Sequence, residues 1–204
     1  MSKVFFGRKL IQAQADHFIH TPPISRLLVL GGGTGHFLPD FFPLHPDARV
    51  EFVDLSDGML KQARQNLAGE CPHHFDQVFF QKLDIEHELK YLTGNYDAVL
   101  LPFVLDCLSL DQIRRVLHDL RGLIAPGGTV YLTDFSIPDT PGFQQTSYQA
   151  LVQAMYLFFH VVTDIPFQDL PDFKALFTEC GYHLVEDHSS DRELIMRQTY
   201  RLNP

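Results

Sequence analysis

A run of apolar residues that enters a cluster of glycines is the feature that most constrains the fold of this chain. Residues 27–30 read LLVL, positions 31–35 read GGGTG, and an apolar segment continues from Phe37. A short apolar run that ends at glycines predicts a buried strand turning sharply into a helix. Glycine permits positive φ and has no Cβ to hold a ligand off the backbone, and the helix would present unpaired N–H groups and a positive dipole end. The stretch therefore predicts a nucleotide-type pocket.

The spacing of the glycines separates two classes of ligand. A dinucleotide fingerprint requires Gly or Ala at the sixth position, which is His36 counted from Gly31 and Leu38 counted from Gly33. The pattern present is G-x-G-x-G, completed by Gly35. With this pattern the sequence resembles the class I S-adenosylmethionine-dependent methyltransferases. A nicotinamide-dependent oxidoreductase is disfavoured.

The resemblance implies which residues of the loop bind S-adenosylmethionine. In those enzymes the loop wraps the methionyl part of the cofactor. One position departs from the family pattern, because Val29 stands where an acidic residue often holds the methionine amino group. Some members, and the related aminopropyltransferases, also have a triple-glycine loop. The implied cofactor-binding residues of the loop are Gly31, Gly32, Gly33, Thr34 and Gly35.

Length and composition limit the other classes of protein. The 204 residues suit one domain, 1–204, and 45% hydrophobic with 20% charged residues is typical of globular proteins. A net charge of −9 argues against nucleic acid as a partner, because such a partner requires a basic face. The sequence contains no apolar run of transmembrane length and no signal-peptide pattern, so we expect a cytoplasmic protein that does not bind a membrane.

No disulfide or metal site is predicted. Cys71, Cys107 and Cys180 are odd in number, widely separated and without a Cys-x-x-Cys pair. The N-terminal segment, residues 1–23, contains a predicted helix on which His17 and His20 lie three positions apart. We interpret these two histidines as a surface pair and not as metal ligands.

The second predicted strand ends in an acidic residue. Residues 48–53 read ARVEFV and lead into Asp54, which follows Gly31 by 23 positions. A carboxylate about 20 residues after the glycines accepts hydrogen bonds from ribose hydroxyls in this architecture. We therefore predict that Asp54 and the adjacent Leu55 bind the cofactor.

The third and fourth strands supply further candidates through the same resemblance. A third apolar strand ends just before Asp84 and Ile85, which match the positions that meet the adenine ring in the family. Residues 95–108 are predicted to form the fourth strand and its exit loop, which include Leu101 and Pro102. In the family, the exit from this strand lies under the methyl donor.

Asp106 is the candidate catalytic residue. In open parallel sheets the ligand crevice lies beyond the carboxyl ends of the strands, here between strands one and four, so residues 101–106 are expected to line it. Asp106 would orient or deprotonate an acceptor, and the alternative is a simple hydrogen bond within the loop. Cys107 is interpreted as a small buried filler and not as a nucleophile.

The remaining pattern predicts an α/β fold, doubly wound, with a seven-stranded, mostly parallel sheet and an antiparallel C-terminal hairpin: the Rossmann-like methyltransferase fold. Residues 136–165 interrupt the alternation of strands and helices and include an aromatic helix over 143–163. We expect this insertion to be either a lid over a small, apolar or aromatic substrate or the face of a homodimer. The further predicted elements are helices over 109–124 and 171–181 and strands over 130–135, 182–186 and 193–200.

Four hypotheses of function follow. The leading one is S-adenosylmethionine-dependent methyl transfer to a small molecule. The second is an aminopropyltransferase-like enzyme that uses a decarboxylated cofactor, motivated by Val29 and the triple glycine. The third is a nucleotide oxidoreductase, and the fourth is a non-catalytic nucleotide-binding module.

Overall fold

The computed structural model describes residues 2–136, 171–188 and 195–203, with residues 2–7 described by their backbone alone. These residues form a seven-stranded sheet in the order β3-β2-β1-β4-β5-β7-β6. The first five strands are parallel, and β7 is antiparallel to both β5 and β6. The strands are β1 (Arg26–Leu30), β2 (Arg49–Asp54), β3 (Val78–Lys82), β4 (Tyr96–Pro102), β5 (Ile124–Phe135), β6 (Tyr182–Asp187) and β7 (Ile195–Leu202). The predicted fold class is confirmed.

Helices connect the parallel strands. Ser56 caps α3 by accepting the Met59 N–H, and Ser109 and Gln112 form a reciprocal capping box at the start of α4. The helices are α1 (Ser2–Ala15), α2 (Leu38–Phe41), α3 (Asp57–Glu70), α4 (Leu110–Leu120) and α5 (Phe173–Glu179). Short 3₁₀ turns occupy Asp16–Phe18, Pro72–Gln77, Leu89–Tyr91 and Leu105–Cys107.

Two apolar clusters cover the two faces of the sheet. Along β1, Leu27 and Val29 face the cluster shared with α2 and α3, whereas Leu28 and Leu30 face the cluster shared with α4 and α5. Burial on both faces explains why the parallel strands are continuous apolar runs. Among the described residues, no helix combines the length and apolarity needed to cross a membrane.

The helix after the glycines, predicted over residues 37–42, spans Leu38–Phe41. It ends there because Pro43 has no N–H with which to continue the helical hydrogen bonds. A single turn of helix sums few peptide dipoles, so its dipole contributes little at this site. The backbone N–H groups of the loop itself remain as donors.

The boundaries of β5 and the position of His17 also differ from expectation. Residues 125–129, between the predicted helix over 109–124 and the predicted strand over 130–135, form an irregularity inside β5, which pairs with β4 on both sides of it. His17 is 8% exposed and its Nε2 lies 2.9 Å from Thr133 Oγ1, so the two N-terminal histidines are not a surface pair. The predicted insertion, apart from Ser136, lies outside the described residues.

Candidate functional site

The topology fixes where a ligand can bind. Neighbouring strands β1 and β4 are connected to the rest of the sheet in opposite directions, since β2 and β3 lie on one side and β5 on the other. The carboxyl ends of the parallel strands therefore diverge between β1 and β4 and leave a crevice, where open α/β sheets bind ligands. The glycine loop follows β1 at this edge.

The loop has the backbone conformation that its glycines predict. Gly31, Gly33 and Gly35 have φ of 72°, 57° and 67°, all in the left-handed region that other residues avoid. The N–H groups of Gly31 and Gly32 donate to the Val53 carbonyl at 2.9 and 3.3 Å. These bonds hold the loop against the end of β2.

The glycines differ in what surrounds the missing side chain. A Cβ at Gly31 would overlap Val104, and one at Gly32 would overlap the Phe52 ring, so these two are required for packing. A Cβ at Gly33 would meet no atom within 4 Å. Gly33 thus borders open space at the crevice, with room for a ligand to approach its backbone.

Asp54 ties the loop to the end of β2. Its Oδ2 accepts the Gly33 N–H at 2.8 Å and its Oδ1 accepts the Ser56 N–H at 2.9 Å. Burial raises the pKa of Asp54, against the effect of these N–H donors. The Leu55 N–H also bonds to this carboxylate. Since a carboxylate has about four acceptor positions, acceptor capacity remains for hydroxyls of a ligand. The adjacent Leu55 is 64% exposed and offers an apolar side chain beside the loop.

Asn66 supports the loop from α3, and sequence reasoning missed it. Its Nδ2 donates to the Thr34 carbonyl at 2.9 Å and lies 3.2 Å from His36 Nε2. His36 in turn lies 3.5 Å from the Glu70 carboxylate. A partly buried Asn on a helix has no local signature for such a role, because the contact spans 32 positions.

Asp84 lies in a self-contained turn after β3. Its oxygens accept the Glu86 N–H at 2.9 Å and contact His87 Nδ1 at 2.9 Å. Burial favours a raised pKa for Asp84, but the bonds from His87 and the backbone outweigh burial and lower it. Asp84, Glu86 and His87 place ligand atoms within 4.8 Å of one another, yet they already bond among themselves and we assign no metal to them. Ile85 is half-buried against the core of α4 and α5.

The exit from β4 bends sharply. Leu101 and Pro102 are buried, and Phe103 then adopts a φ of 51°, the one positive φ among the described residues other than glycine. The Phe103 N–H donates to the Thr133 carbonyl at 2.7 Å, which extends the pairing with β5. The bend places Val104 against Gly31, so the β4 exit forms one wall of the glycine loop.

An acidic pair occupies the carboxyl ends of β4 and β5. Asp106 lies partly exposed in the turn Leu105–Cys107, and the Cys107 thiol donates to its Oδ1 at 3.4 Å. Burial, followed by Asp106, raises the pKa of the Cys107 thiol, so it stays protonated and is a poor nucleophile. Asp134, at the end of β5, is fully buried beside Asp106 and was not among the predicted site residues.

A separate cavity of about 420 Å³ lies away from the glycine loop. It opens between the segment after α1 and strands β5 and β7, and it includes His17, His20, Arg197 and Arg201. No predicted cofactor residue lines it. Arg197 is paired with Asp16 at 3.2 Å.

A doubly wound sheet with a glycine loop after β1 and a carboxylate that accepts a loop N–H after β2 places the chain in the Rossmann-like class of proteins. A model of the methyltransferase domain family matches residues 28–130, about half of the chain. The chain therefore belongs to this methyltransferase domain family. This membership favours the leading hypothesis over the aminopropyltransferase, the oxidoreductase and the non-catalytic module.

Known proteins that resemble the chain share only part of its length or only its fold. Lovastatin diketide synthase lovF of Aspergillus terreus is 35% identical over 133 residues, which are 60% of this chain and 5% of that protein. The mitomycin 7-O-methyltransferase MmcR matches with a TM-score of 0.73 at 16% identity, over 96% of this chain and 54% of MmcR. CalO1, a methyltransferase in calicheamicin biosynthesis solved with S-adenosylhomocysteine bound, matches with a TM-score of 0.65 at 18% identity, over 100% of this chain and 55% of CalO1. The chain thus spans a small part of its curated relative and about half of the solved structures.

Proposed function

We propose that the chain transfers a methyl group from S-adenosylmethionine to a small, apolar or aromatic acceptor that binds beside Asp106. The observation that carries this proposal is the aromatic pair next to the acidic turn. The rings of Phe103 and Phe135, at the ends of β4 and β5, lie 4.9 Å apart at 42°. Such a pair provides an apolar surface with a carboxylate close by, which suits an acceptor with one ionisable group.

The proposed cofactor site combines the glycine loop with the ends of β2, β3 and β4. The open space at Gly33 fits close approach of the methionyl part, and the free acceptor positions of Asp54 fit the ribose hydroxyls. The other proposed contacts come from Leu55, Asp84, Ile85, Leu101 and Pro102. Because the side chains of Leu101 and Pro102 are buried, we expect their backbone to make the contact.

When bound, S-adenosylmethionine would supply a methyl group on a positively charged sulfur. The bond from the acceptor atom to the methyl carbon would replace the carbon–sulfur bond, with the neutral thioether as the leaving group. The chain's own task is to align the acceptor and exclude water. The Asp106 carboxylate accepts the proton that a phenol or carbon acid loses, and then releases it to solvent.

The names of the relatives guide the choice of acceptor. MmcR is a 7-O-methyltransferase for mitomycin and lovF is a diketide synthase. An acceptor screen therefore includes small phenols and a diketide thioester, and the products are analysed for methylation at oxygen and at carbon. Simple amines and a polyamine with decarboxylated cofactor serve as contrasting substrates.

Two measurements test the proposal. Titration calorimetry of the purified protein with S-adenosylmethionine and with S-adenosylhomocysteine is expected to show micromolar binding of both. Methyl transfer to a phenol or thioester is expected to fall at least about 100-fold in Asp106→Asn, within the range ascribed to a general base, while cofactor affinity is unchanged. Unchanged turnover in Asp106→Asn would remove Asp106 from the catalytic role.

Partners other than the acceptor remain proposals. We propose that no nucleic acid or membrane takes part, and that the chain forms a homodimer. Light scattering of the purified protein at increasing concentration tests the dimer. Cytoplasmic location is likewise an expectation, which fractionation of the source cells tests.

A further inference from the structure

Asp134 is a buried carboxyl group that the proposed chemistry leaves without a role. It lies at the end of β5, is 0% exposed, and pairs in register with Met196 of β7. Its Oδ1 accepts the Phe135 N–H at 2.8 Å, whereas its Oδ2 forms no hydrogen bond with any described residue. Ionising a carboxyl group that has one buried oxygen without a hydrogen bond incurs the full desolvation penalty of that oxygen. The site therefore accommodates the protonated form far better.

The groups that face Asp134 act in the same direction. Burial, and then the Asp106 carboxylate, raise the pKa of Asp134 well above its usual range, although the N–H groups of Phe135 and Asp106 oppose this. The other titratable neighbour is Cys107, whose thiol pKa is raised in part by Asp134. Both neighbours belong to the turn after β4 and neither supplies a positive charge. Among the described residues, no charged side chain that faces Asp134 favours its ionisation.

Two carboxyl groups in one site do not both ionise readily, and the one in the less polar environment holds the proton. Asp134 has no exposed surface, whereas Asp106 is partly exposed in a turn that contacts β5. We propose that Asp134 is a positioning residue that retains a proton, so that Asp106 is the ionised member of the pair beside the acceptor. This inference rests on the proposed function, because it concerns the base of that same reaction.

The division of roles has a chemical consequence. The proton lost by the acceptor goes to Asp106 and then to solvent, while Asp134 keeps its own proton throughout. If both groups were ionised, their repulsion would displace the turn Leu105–Cys107; if both were protonated, no base would remain. One proton on the pair is the state that permits turnover.

The first test detects the proton directly and needs no cofactor or acceptor. Infrared spectra of the purified protein are recorded across a pH range with wild type, Asp134→Asn and Asp106→Asn. We expect a carboxylic acid band in wild type at neutral pH that is absent in Asp134→Asn. In Asp106→Asn we expect the band to persist but to disappear at lower pH than in wild type, since the neighbouring negative charge is gone. Absence of the band in wild type, or an unmoved midpoint in Asp106→Asn, overturns the inference.

The second test uses stability, in which the neutral mimic Asn is informative. The pKa of Asp134 is raised in the folded state, so folding stability is lost as pH rises from the usual Asp range towards the folded pKa. Between pH 5 and pH 9, wild type is expected to lose more stability in urea denaturation than Asp134→Asn. Equal slopes would contradict the inference. The matched control is Asp47→Asn, an exposed Asp in the turn before β2, which is expected to resemble wild type in both tests.

Failure of the proposed function is distinguishable from failure of this inference. If wild type does not bind S-adenosylmethionine in calorimetry, the proposed function fails while the infrared band still decides the state of Asp134. If Asp134→Asn does not fold, the shift of the band in Asp106→Asn still tests the pair. If both Asp134 variants fold, hydrogen exchange of the amides of residues 105–107 reports positioning. Asp134→Asn is expected to keep their protection and Asp134→Ala to lose it, and equal exchange in both contradicts a positioning role.

Discussion

Gly33 and Asp54 illustrate how two single residues make one binding surface. The Gly33 N–H donates to Asp54 Oδ2 at 2.8 Å, so the glycine fixes one face of the carboxylate that we propose to contact the ribose. At the same time Gly33 borders open space, unlike Gly31 and Gly32. A change at either residue is therefore expected to affect the ligand more than the fold.

Replacing Gly33 with Ala tests whether its open side faces the cofactor. The added Cβ meets no protein atom, but φ of 57° costs a non-glycine residue about 1–2 kcal/mol of stability. Gly127→Ala is a matched control, because Gly127 has φ of 78° and equally open surroundings in the irregular part of β5. Urea denaturation is expected to show similar losses for both variants. Calorimetry with S-adenosylmethionine is expected to show weaker binding in Gly33→Ala alone, and equal affinities would place the cofactor elsewhere.

Replacing Asp54 with Ala removes both the proposed ribose acceptor and an anchor of the loop. We expect cofactor binding to weaken by about 1.5–3 kcal/mol, roughly 10- to 150-fold, the usual cost of hydrogen bonds to a charged group. Asp57→Ala is the control, because Asp57 is an exposed acid three positions later that pairs with Lys82 at 2.5 Å. Calorimetry at neutral pH measures the difference. Unchanged affinity in Asp54→Ala would exclude Asp54 from the site.

At the scale of secondary structure, α3 supports the loop from behind as well as covering the sheet. Leu60, Ala63 and Leu67 of α3 are buried, while Asn66 reaches the Thr34 carbonyl from the partly buried side of the helix. The helix thus connects the packing of β1 and β2 to the conformation of the glycine loop. A glycine loop held only by its own backbone hydrogen bonds would not be connected to the packing of β1 and β2.

Removing the Asn66 side chain is expected to loosen the loop without removing a cofactor contact. Asn66→Ala loses the hydrogen bond to Thr34, which contributes about 0.5–1.5 kcal/mol. We expect a comparable loss of stability in urea and faster hydrogen exchange of the loop amides. Gln65→Ala, an exposed neighbour on the same helix, is the control. Exchange as slow as in wild type would show that Asn66 does not hold the loop.

The elements also show what the sequence can and cannot predict. The first four strands were found because buried parallel strands are short apolar runs bounded by turn residues, and the glycine loop because its φ values require glycine. The end of α2 was also found, because Pro43 stops a helix wherever it falls after an apolar run. Asp134 was passed over because an acid at the end of a strand gives no sign that its neighbours bury it completely.

At the scale of the whole molecule, the N-terminal segment is connected to the opposite end of the chain. His17 bonds to Thr133 of β5, and Asp16 pairs with Arg197 of β7 at 3.2 Å. The segment after α1 therefore packs on the antiparallel part of the sheet, which is formed by residues far from it in the sequence. Because His17 is buried there, its protonation affects the fold as a whole.

Acid is expected to destabilise the protein through His17. Burial, and then the nearby Arg197, lower the pKa of His17 to about 3 in the folded state, below the ordinary value of 6.5. The unfolded chain therefore binds a proton first, so the stability that neutral His17 contributes is complete above about pH 6.5 and is lost as pH falls towards 3. The shift in pKa corresponds to up to about 5 kcal/mol in the free energy of unfolding.

Urea denaturation between pH 7 and pH 4 measures this dependence. We expect a steep loss of stability in wild type and a shallower one in His17→Gln, whereas His20→Gln, at an exposed position, keeps the wild-type slope. A His17→Gln slope equal to that of wild type would mean that groups other than His17 set the acid sensitivity.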